Sequence, residues 1–150
     1  MRWKGFSSVE ALLVLALSGI LAVGAVLFLP SLGGVNLNSA AIQVRRDIEY
    51  ARQNAMNTGQ ASGVVFVSSG SYTVYQGTVS TPLNSPLTLA PMIVTLSSSF
   101  PGVTISSSYT VEFDRTGKPS TGGGGSVTLS SGSSSATISV TANTGRVTIP

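Results

Sequence analysis

The chain reads as an α+β protein, a long N-terminal helix followed by an antiparallel β-rich domain. Three observations predict this class. Residues 11–29 form an apolar run in which only Ser18, Gly19 and Gly24 are not strongly apolar. Ala41, Val44, Ile48, Ala51 and Ala55 then recur at alternating spacings of three and four, the period of an amphipathic helix. From Gly63 the apolar period drops to two, and turn residues recur between short runs. The organisation that follows is a basic leader over 1–5, an apolar helix over 6–30, a hinge and amphipathic helix over 31–58, and a β-rich head over 59–150.

At the N-terminus, Met1-Arg2-Trp3-Lys4 leads into Gly5-Phe6-Ser7-Ser8-Val9-Glu10 and then the apolar run. About 20 apolar residues at 1.5 Å rise reach roughly 30 Å, enough to cross a bilayer core. Glu10 is the anomaly. An acid at the edge of a spanning helix costs free energy, and the next basic residue is Arg45. Glu10 is either a snorkelling acid at the head of an ordinary signal anchor or a group awaiting a partner. A cut between Gly5 and Phe6 would make that partner. It creates an α-amine one helical turn from Glu10, which can equally face the Glu10 of an adjacent subunit. A secretory signal peptide would instead need a small-residue site after the apolar region. Ala22-Val23-Gly24 serves poorly, because the run continues past it.

Next come the hinge and second helix. Pro30, followed by Ser31-Leu32-Gly33-Gly34, predicts a break or kink at the membrane edge or a plain linker. Asn38 or Ser39 caps a second helix running to about Thr58, which Gly59 ends. Its apolar stripe should cover a sheet, with Arg45, Arg46, Asp47, Glu49 and Arg52 on a solvated face and Arg45 pairing weakly with Glu49.

The head alternates strands and turns. Strands are predicted over 63–67, 72–76, 93–96, 103–105, 109–113, 127–129, 136–140 and 146–149, with a proline-bearing loop over 77–91. Glu112 and Asp114 read as turn chemistry and a partner for Arg115. The four glycines Gly122 to Gly125 are either mobile or a tight bend.

Composition sets limits. The 150 residues hold eight basic and five acidic side chains, a formal charge of +3. Two of the basic residues, Arg2 and Lys4, lie in the leader, so the remainder is nearly neutral. A nucleic-acid partner finds little support in that balance. Cysteine and histidine are both absent, which excludes disulfides, thiol nucleophiles and His-based metal or acid–base sites. No Gly-x-Ser-x-Gly elbow occurs, and the glycine run lacks the Lys-Ser/Thr element of a phosphate loop. The chain is not expected to be an enzyme or to carry a cofactor or metal.

The N-terminal pattern resembles the class III signal of type IV pilins and type II secretion pseudopilins. The match comprises a basic leader ending in Gly5, Phe6 after the cut, Glu10 as the fifth residue beyond it, and an uninterrupted apolar helix. The resemblance implies removal of residues 1–5 by a prepilin peptidase, N-methylation of Phe6, and subunit assembly through packed helices and Glu10. It also implies a single-pass inner-membrane precursor with a periplasmic head, later part of a pilus or pseudopilus. Downstream, Ala51-Arg52-Gln53-Asn54-Ala55-Met56, residues 63–67, Phe113-Asp114-Arg115-Thr116-Gly117 and the stretch from Ile138 to Val147 resemble the H-type pseudopilin (GspH) and FimT/FimU minor pilin group. That implies a pilin-like fold and a low-abundance subunit at or near the filament tip, which primes or caps assembly with other pilins. The loops hold too few acids for the calcium site of a G-type major pseudopilin.

A second reading is a minor pilin that captures DNA for a competence pilus, through Arg115, Lys118 and Arg146. DNA-binding FimT-like members carry Gly-Arg-x-Arg near the C-terminus. Here Gly145-Arg146-Val147-Thr148 lacks the second basic residue, and so few cations imply low, salt-sensitive affinity.

Overall fold

The computed structural model describes residues 7–150, those from 22 to 33 as backbone only. The basic leader and the Gly5-Phe6 junction lie outside the described residues. The chain forms two compact units, one ending at Leu32 and one spanning Gly33–Pro150.

Helix α1 runs Ser8–Thr58. Of the expectations at Pro30, a break and a plain linker are therefore corrected, as is the fresh start at Asn38 or Ser39, since helical backbone passes through both. An interior proline deletes one i→i−4 hydrogen bond at about 3 kcal/mol, but its φ is already helical, so it does not oblige the chain to leave the helix. Gly59 ends α1 as expected, donating its N–H to Ala55 O at 3.0 Å.

Ten strands follow among the described residues: β1 Ser62–Val67, β2 Ser71–Gln76, β3 Thr78–Pro82, β4 Ile93–Thr95, β5 Thr104–Ile105, β6 Tyr109–Phe113, β7 Pro119–Thr121, β8 Ser126–Ser131, β9 Ser134–Val140 and β10 Val147–Thr148. A one-turn helix α2, Leu96–Ser99, sits between β4 and β5. The strands make two antiparallel sheets. Sheet 1 has the order β3-β2-β1-β6-β7, with β4 also on β2, and sheet 2 the order β10-β9-β8-β5. Strands β3 and β7 were not expected; prolines at Pro82 and Pro119 mask them, and both are edge strands, where proline is tolerated.

The predicted stripe is the core face of the second unit's helical segment. Ala41, Val44, Ile48, Ala51 and Ala55 are buried, joined by Leu37 and Ala40. The small alanines let the helix lie close to Val64, Phe66, Tyr72, Val74, Val111 and Phe113, which alternate inward along β1, β2 and β6. Val127, Leu129, Ile138 and Val140 do the same from sheet 2, so both sheets and the helix share one core. The Phe66 ring stands 5.3 Å from Tyr72 and 6.1 Å from Tyr109, spacings at which aromatic pairs attract beyond simple burial.

The glycine run is a tight bend that carries the chain from β7 to β8. Tyr109 Oη donates to Gly122 O at 2.6 Å, and Gly125 N–H closes back on Gly122 O at 3.1 Å. A Cβ at Gly125 would stand 2.6 Å from Tyr109 Cε2, so the ring occupies the space that any side chain needs.

Candidate assembly and binding surfaces

Over residues 8–21 the first unit presents a helix with no continuous polar face. Val9, Leu12, Leu13, Val14, Leu15, Leu17, Ile20 and Leu21 lie on every side of it and are 54% to 74% exposed. A helix apolar all round is stable only when something else surrounds it, either lipid or other helices. Ser18 does not interrupt this surface, because its Oγ donates to Val14 O at 2.7 Å within the helix. Glu10 stands in the first turn, where a carboxylate favours the positive end of the helix dipole. Among the described residues Glu10 has no ion-pair partner. Among those residues, too, no helix is long and apolar enough to cross a membrane. The apolar run over 11–29 continues into residues 22–33, whose side chains are outside the description. Gly5 and Phe6, the predicted cleavage and methylation positions, also lie outside it.

The second unit gathers the three predicted DNA-contact residues at one end of the head. Arg115 and Lys118 belong to the turn after β6, and Arg146 to the turn before β10. Asp114 builds the first turn. Its Oδ1 accepts from Thr116 Oγ1 at 2.6 Å, Thr116 N–H at 2.8 Å and Lys118 N–H at 3.1 Å. These bonds, with Lys118 nearby, hold the Asp114 carboxyl below the usual range. The two turns meet glycine to carbonyl, since a Cβ at Gly145 would lie 2.6 Å from Gly117 O. Arg52 locks the contact by donating Nε–H to Gly117 O at 2.9 Å. Lys118 and Arg146 directly follow the touching glycines, and Arg115, Lys118 and Arg146 are all exposed.

Three expectations about charged side chains are corrected. Asp114 builds its turn as expected but forms no ion pair with Arg115 among the described residues. Glu112 faces the other side of the sheet, accepting from Tyr75 Oη at 3.1 Å and Ser120 Oγ at 3.2 Å. Burial and the Glu112 carboxylate push the Tyr75 hydroxyl up to about 12. Arg52 and Asp47 do not belong to a solvated face. Arg52 turns inward to Gly117, and Asp47 Oδ2 accepts the buried Tyr72 hydroxyl at 2.5 Å. Burial raises the Asp47 carboxyl, opposed by the hydrogen bonds from Tyr72 and Gln43. Burial first, and then the Asp47 charge, raises the Tyr72 hydroxyl well above its ordinary value. The Arg45–Glu49 pair forms as expected, at 3.0 Å on the surface.

A cleft of about 420 Å³ opens beside Asp47, walled by Leu87, Met92 and Val94 from the 83–94 segment and by Gln43 and Arg46 from α1. Nothing in the sequence pattern announced it. The available signal was Tyr72 itself, an inward-facing tyrosine on β2 whose hydroxyl had to find a partner in the helix above.

Comparison with known proteins gives a consistent result. No curated protein matches the chain. Two crystal structures of the type IV minor pilin FimU from Pseudomonas aeruginosa, strain PAO1, share its fold. The form in space group P21 superposes with a TM-score of 0.55 at 16% identity over 76% of this chain and 87% of that one. The form in P65 gives 0.54 at 16% identity over 76% and 92%. The family model described as type II transport protein GspH matches residues 40–145, which include the amphipathic stripe, sheet 1, sheet 2 except β10, and the touching Gly117 and Gly145. The chain therefore belongs to the GspH family, within the type IV pilin and pseudopilin superfamily.

Proposed function

We propose that the chain is a minor subunit that primes or caps a type IV pilus or a type II secretion pseudopilus. The observation that carries this is the N-terminal helix, apolar on every side and exposed, in a chain whose head belongs to the GspH family. Such a helix first needs lipid and then neighbouring helices, the two environments of an inner-membrane precursor and a filament. In this reading a prepilin peptidase removes residues 1–5, Phe6 is N-methylated, and residues 6–30 anchor the subunit with its head in the periplasm. Glu10 then meets the new α-amine, on its own chain or on the adjacent pilin. Cleavage acts as a charge switch that licenses helix packing.

The test is the mass of the mature N-terminus from native membranes, with and without the peptidase. A start at methylated Phe6, lost without the peptidase, supports the reading; an intact Met1 or a cut after Ala22 removes it. Glu10→Ala should leave cleavage intact and block incorporation into filaments, and normal incorporation would refute the pairing.

The convergence of the two basic turns favours a second reading, capture of DNA by Arg115, Lys118 and Arg146. Three phosphate contacts predict a log–log salt slope of about −2.7. Arg146→Ala should weaken duplex binding uniformly across sequences, and salt-independent or absent binding would leave only the structural role.

A further inference from the structure

The cleft of about 420 Å³ beside Asp47 falls within the size range of ligand pockets, about 300–1,000 Å³. Its walls are fixed before anything enters. One is α1. The other is a hairpin over residues 83–92, in which Leu83 N–H donates to Val74 O at 2.8 Å, Met92 N–H to Leu83 O at 2.7 Å and Ser85 N–H to Ala90 O at 2.8 Å. Tyr50 Oη ties the hairpin to α1 by donating to Asn84 O at 3.4 Å. The wall opposite α1 is largely apolar, with Leu87, Pro91 and Met92 from the hairpin and Val94 from β4. Leu87 is 92% exposed, so nearly all of its side chain is available to an occupant.

Asp47 is the only acid among the lining residues, and Arg46 the only cation. Residues 53–111 contain no Asp, Glu, Lys or Arg, so β1 to β4 and the hairpin bring no charge to Asp47. On α1, Arg45 is taken up by Glu49 at 3.0 Å, and Asp47 has no ion-pair partner among the described residues. A carboxylate withdrawn from water gains more from an incoming cation than a hydrated one does. The oxygens left to it decide which cation fits. Oδ2 already accepts from Tyr72 Oη, and the Gln43 side chain donates to the same carboxylate. A guanidinium fork needs two free oxygens side by side, whereas an ammonium is satisfied by one lone pair. The four-carbon stem behind a lysine ammonium also covers apolar surface, which an inorganic cation leaves bare.

We propose that the cleft is a socket for a lysine side chain of a partner protein, with the stem against Leu87, Met92 and Val94 and the ammonium donating to Asp47. Arg46 opposes the incoming charge, so a single lysine binds weakly. The inference concerns the head alone and stands whether or not the N-terminal helix packs into a filament.

Two measurements on the full-length protein test this. In detergent, the methyl resonance of Met92 reads the affinity for Nα-acetyl-lysine methylamide. The norleucine analogue, the same stem without the charge, should bind about tenfold more weakly, and Asp47→Asn should weaken the lysine probe about as much. Leu87→Ser, at a site too exposed to affect folding, should weaken it about threefold or more. Arg46→Gln should tighten it about two- to fivefold, and Asp114→Asn should leave it unchanged. In native membranes, a carbodiimide activates carboxylates and joins each to a touching amine as an amide, the reagent leaving as its urea. Peptide mapping should find Asp47 joined to a lysine of another protein. Equal binding of the norleucine probe, an indifferent Leu87→Ser, or equal losses from Asp114→Asn and Asp47→Asn would each overturn the proposal. So would an Asp47 joined to no lysine, or only to Lys118 of a second copy.

Discussion

Replacing Tyr72 by phenylalanine tests the link between the helix and sheet 1 most directly. The ring is fully buried and stands 5.3 Å from Phe66, so phenylalanine keeps the packing and deletes only the hydroxyl. What is lost is the donor to Asp47 Oδ2, a carboxylate already held away from water. A hydrogen bond to a charged group is worth about 1.5–3 kcal/mol, and one between neutral groups about 0.5–1.5. The cost should therefore depend on pH. The folded state raises the Asp47 carboxyl above its ordinary value, so this group favours folding most when protonated and progressively less as pH rises through the raised value. Tyr72 opposes that rise, and without it the penalty at neutral pH deepens. In thermal unfolding of the full chain in detergent, Tyr72→Phe should lower Tm by about 5–15 °C near neutrality, at about 3–5 °C per kcal/mol. The loss should shrink by roughly half at about pH 3, where the carboxyl is neutral. Asp47→Asn keeps an acceptor without the charge, and should flatten the acidic limb and remove the pH dependence of the Tyr72→Phe effect. A loss equal at both pH values, or additivity in the Tyr72/Asp47 double-mutant cycle, would refute the reasoning.

Other outcomes follow from the same geometry. Ile48→Ala, at a fully buried site, should cost about 2–5 kcal/mol in denaturant unfolding, whereas Ile42→Ala, 39% exposed, should cost far less. Gly125→Ala should destabilise by about 1–3 kcal/mol, because its Cβ would have to displace the Tyr109 ring. Asp114 contributes stability that is present above its ordinary carboxyl range and is lost as pH falls through its lowered folded value. Asp114→Ala should therefore speed amide exchange at Thr116 and Lys118 at neutral pH and remove that acidic loss, while Asp114→Asn should retain much of the turn.

Elements whose signal is local were legible before the fold was seen. The stripe from Ala41 to Ala55 needs only the helical period, and every member is buried. Strands β1, β2, β6 and β9 need only alternation, and each lies within two residues of its predicted ends. What the sequence concealed depends on contacts between distant segments. Asp47 looks like one more charge on a polar helix face until Tyr72, twenty-five positions later, rises from the sheet beneath it. Strand β3 hides in a proline-rich loop, because an edge strand needs only one neighbour and tolerates prolines that would exclude it from a sheet centre. The glycine run could have been a flexible spacer. Tyr109, contributed by another strand, is what makes it a bend.

The paired turns show how such long-range contacts divide the labour of this chain. The Arg52 side chain could have stayed in water, yet it donates to Gly117 O and ties the end of α1 to the turn after β6. Gly145 lies against the same carbonyl, so helix, sheet 1 and sheet 2 meet at one backbone oxygen. That junction falls within residues 40–145, the region matched to the GspH family. The apolar helix and Glu10 fall before it, so the family match does not extend to the exposed apolar segment. The assembly reading rests on apolar side chains between Val9 and Leu21 that stay exposed among the described residues.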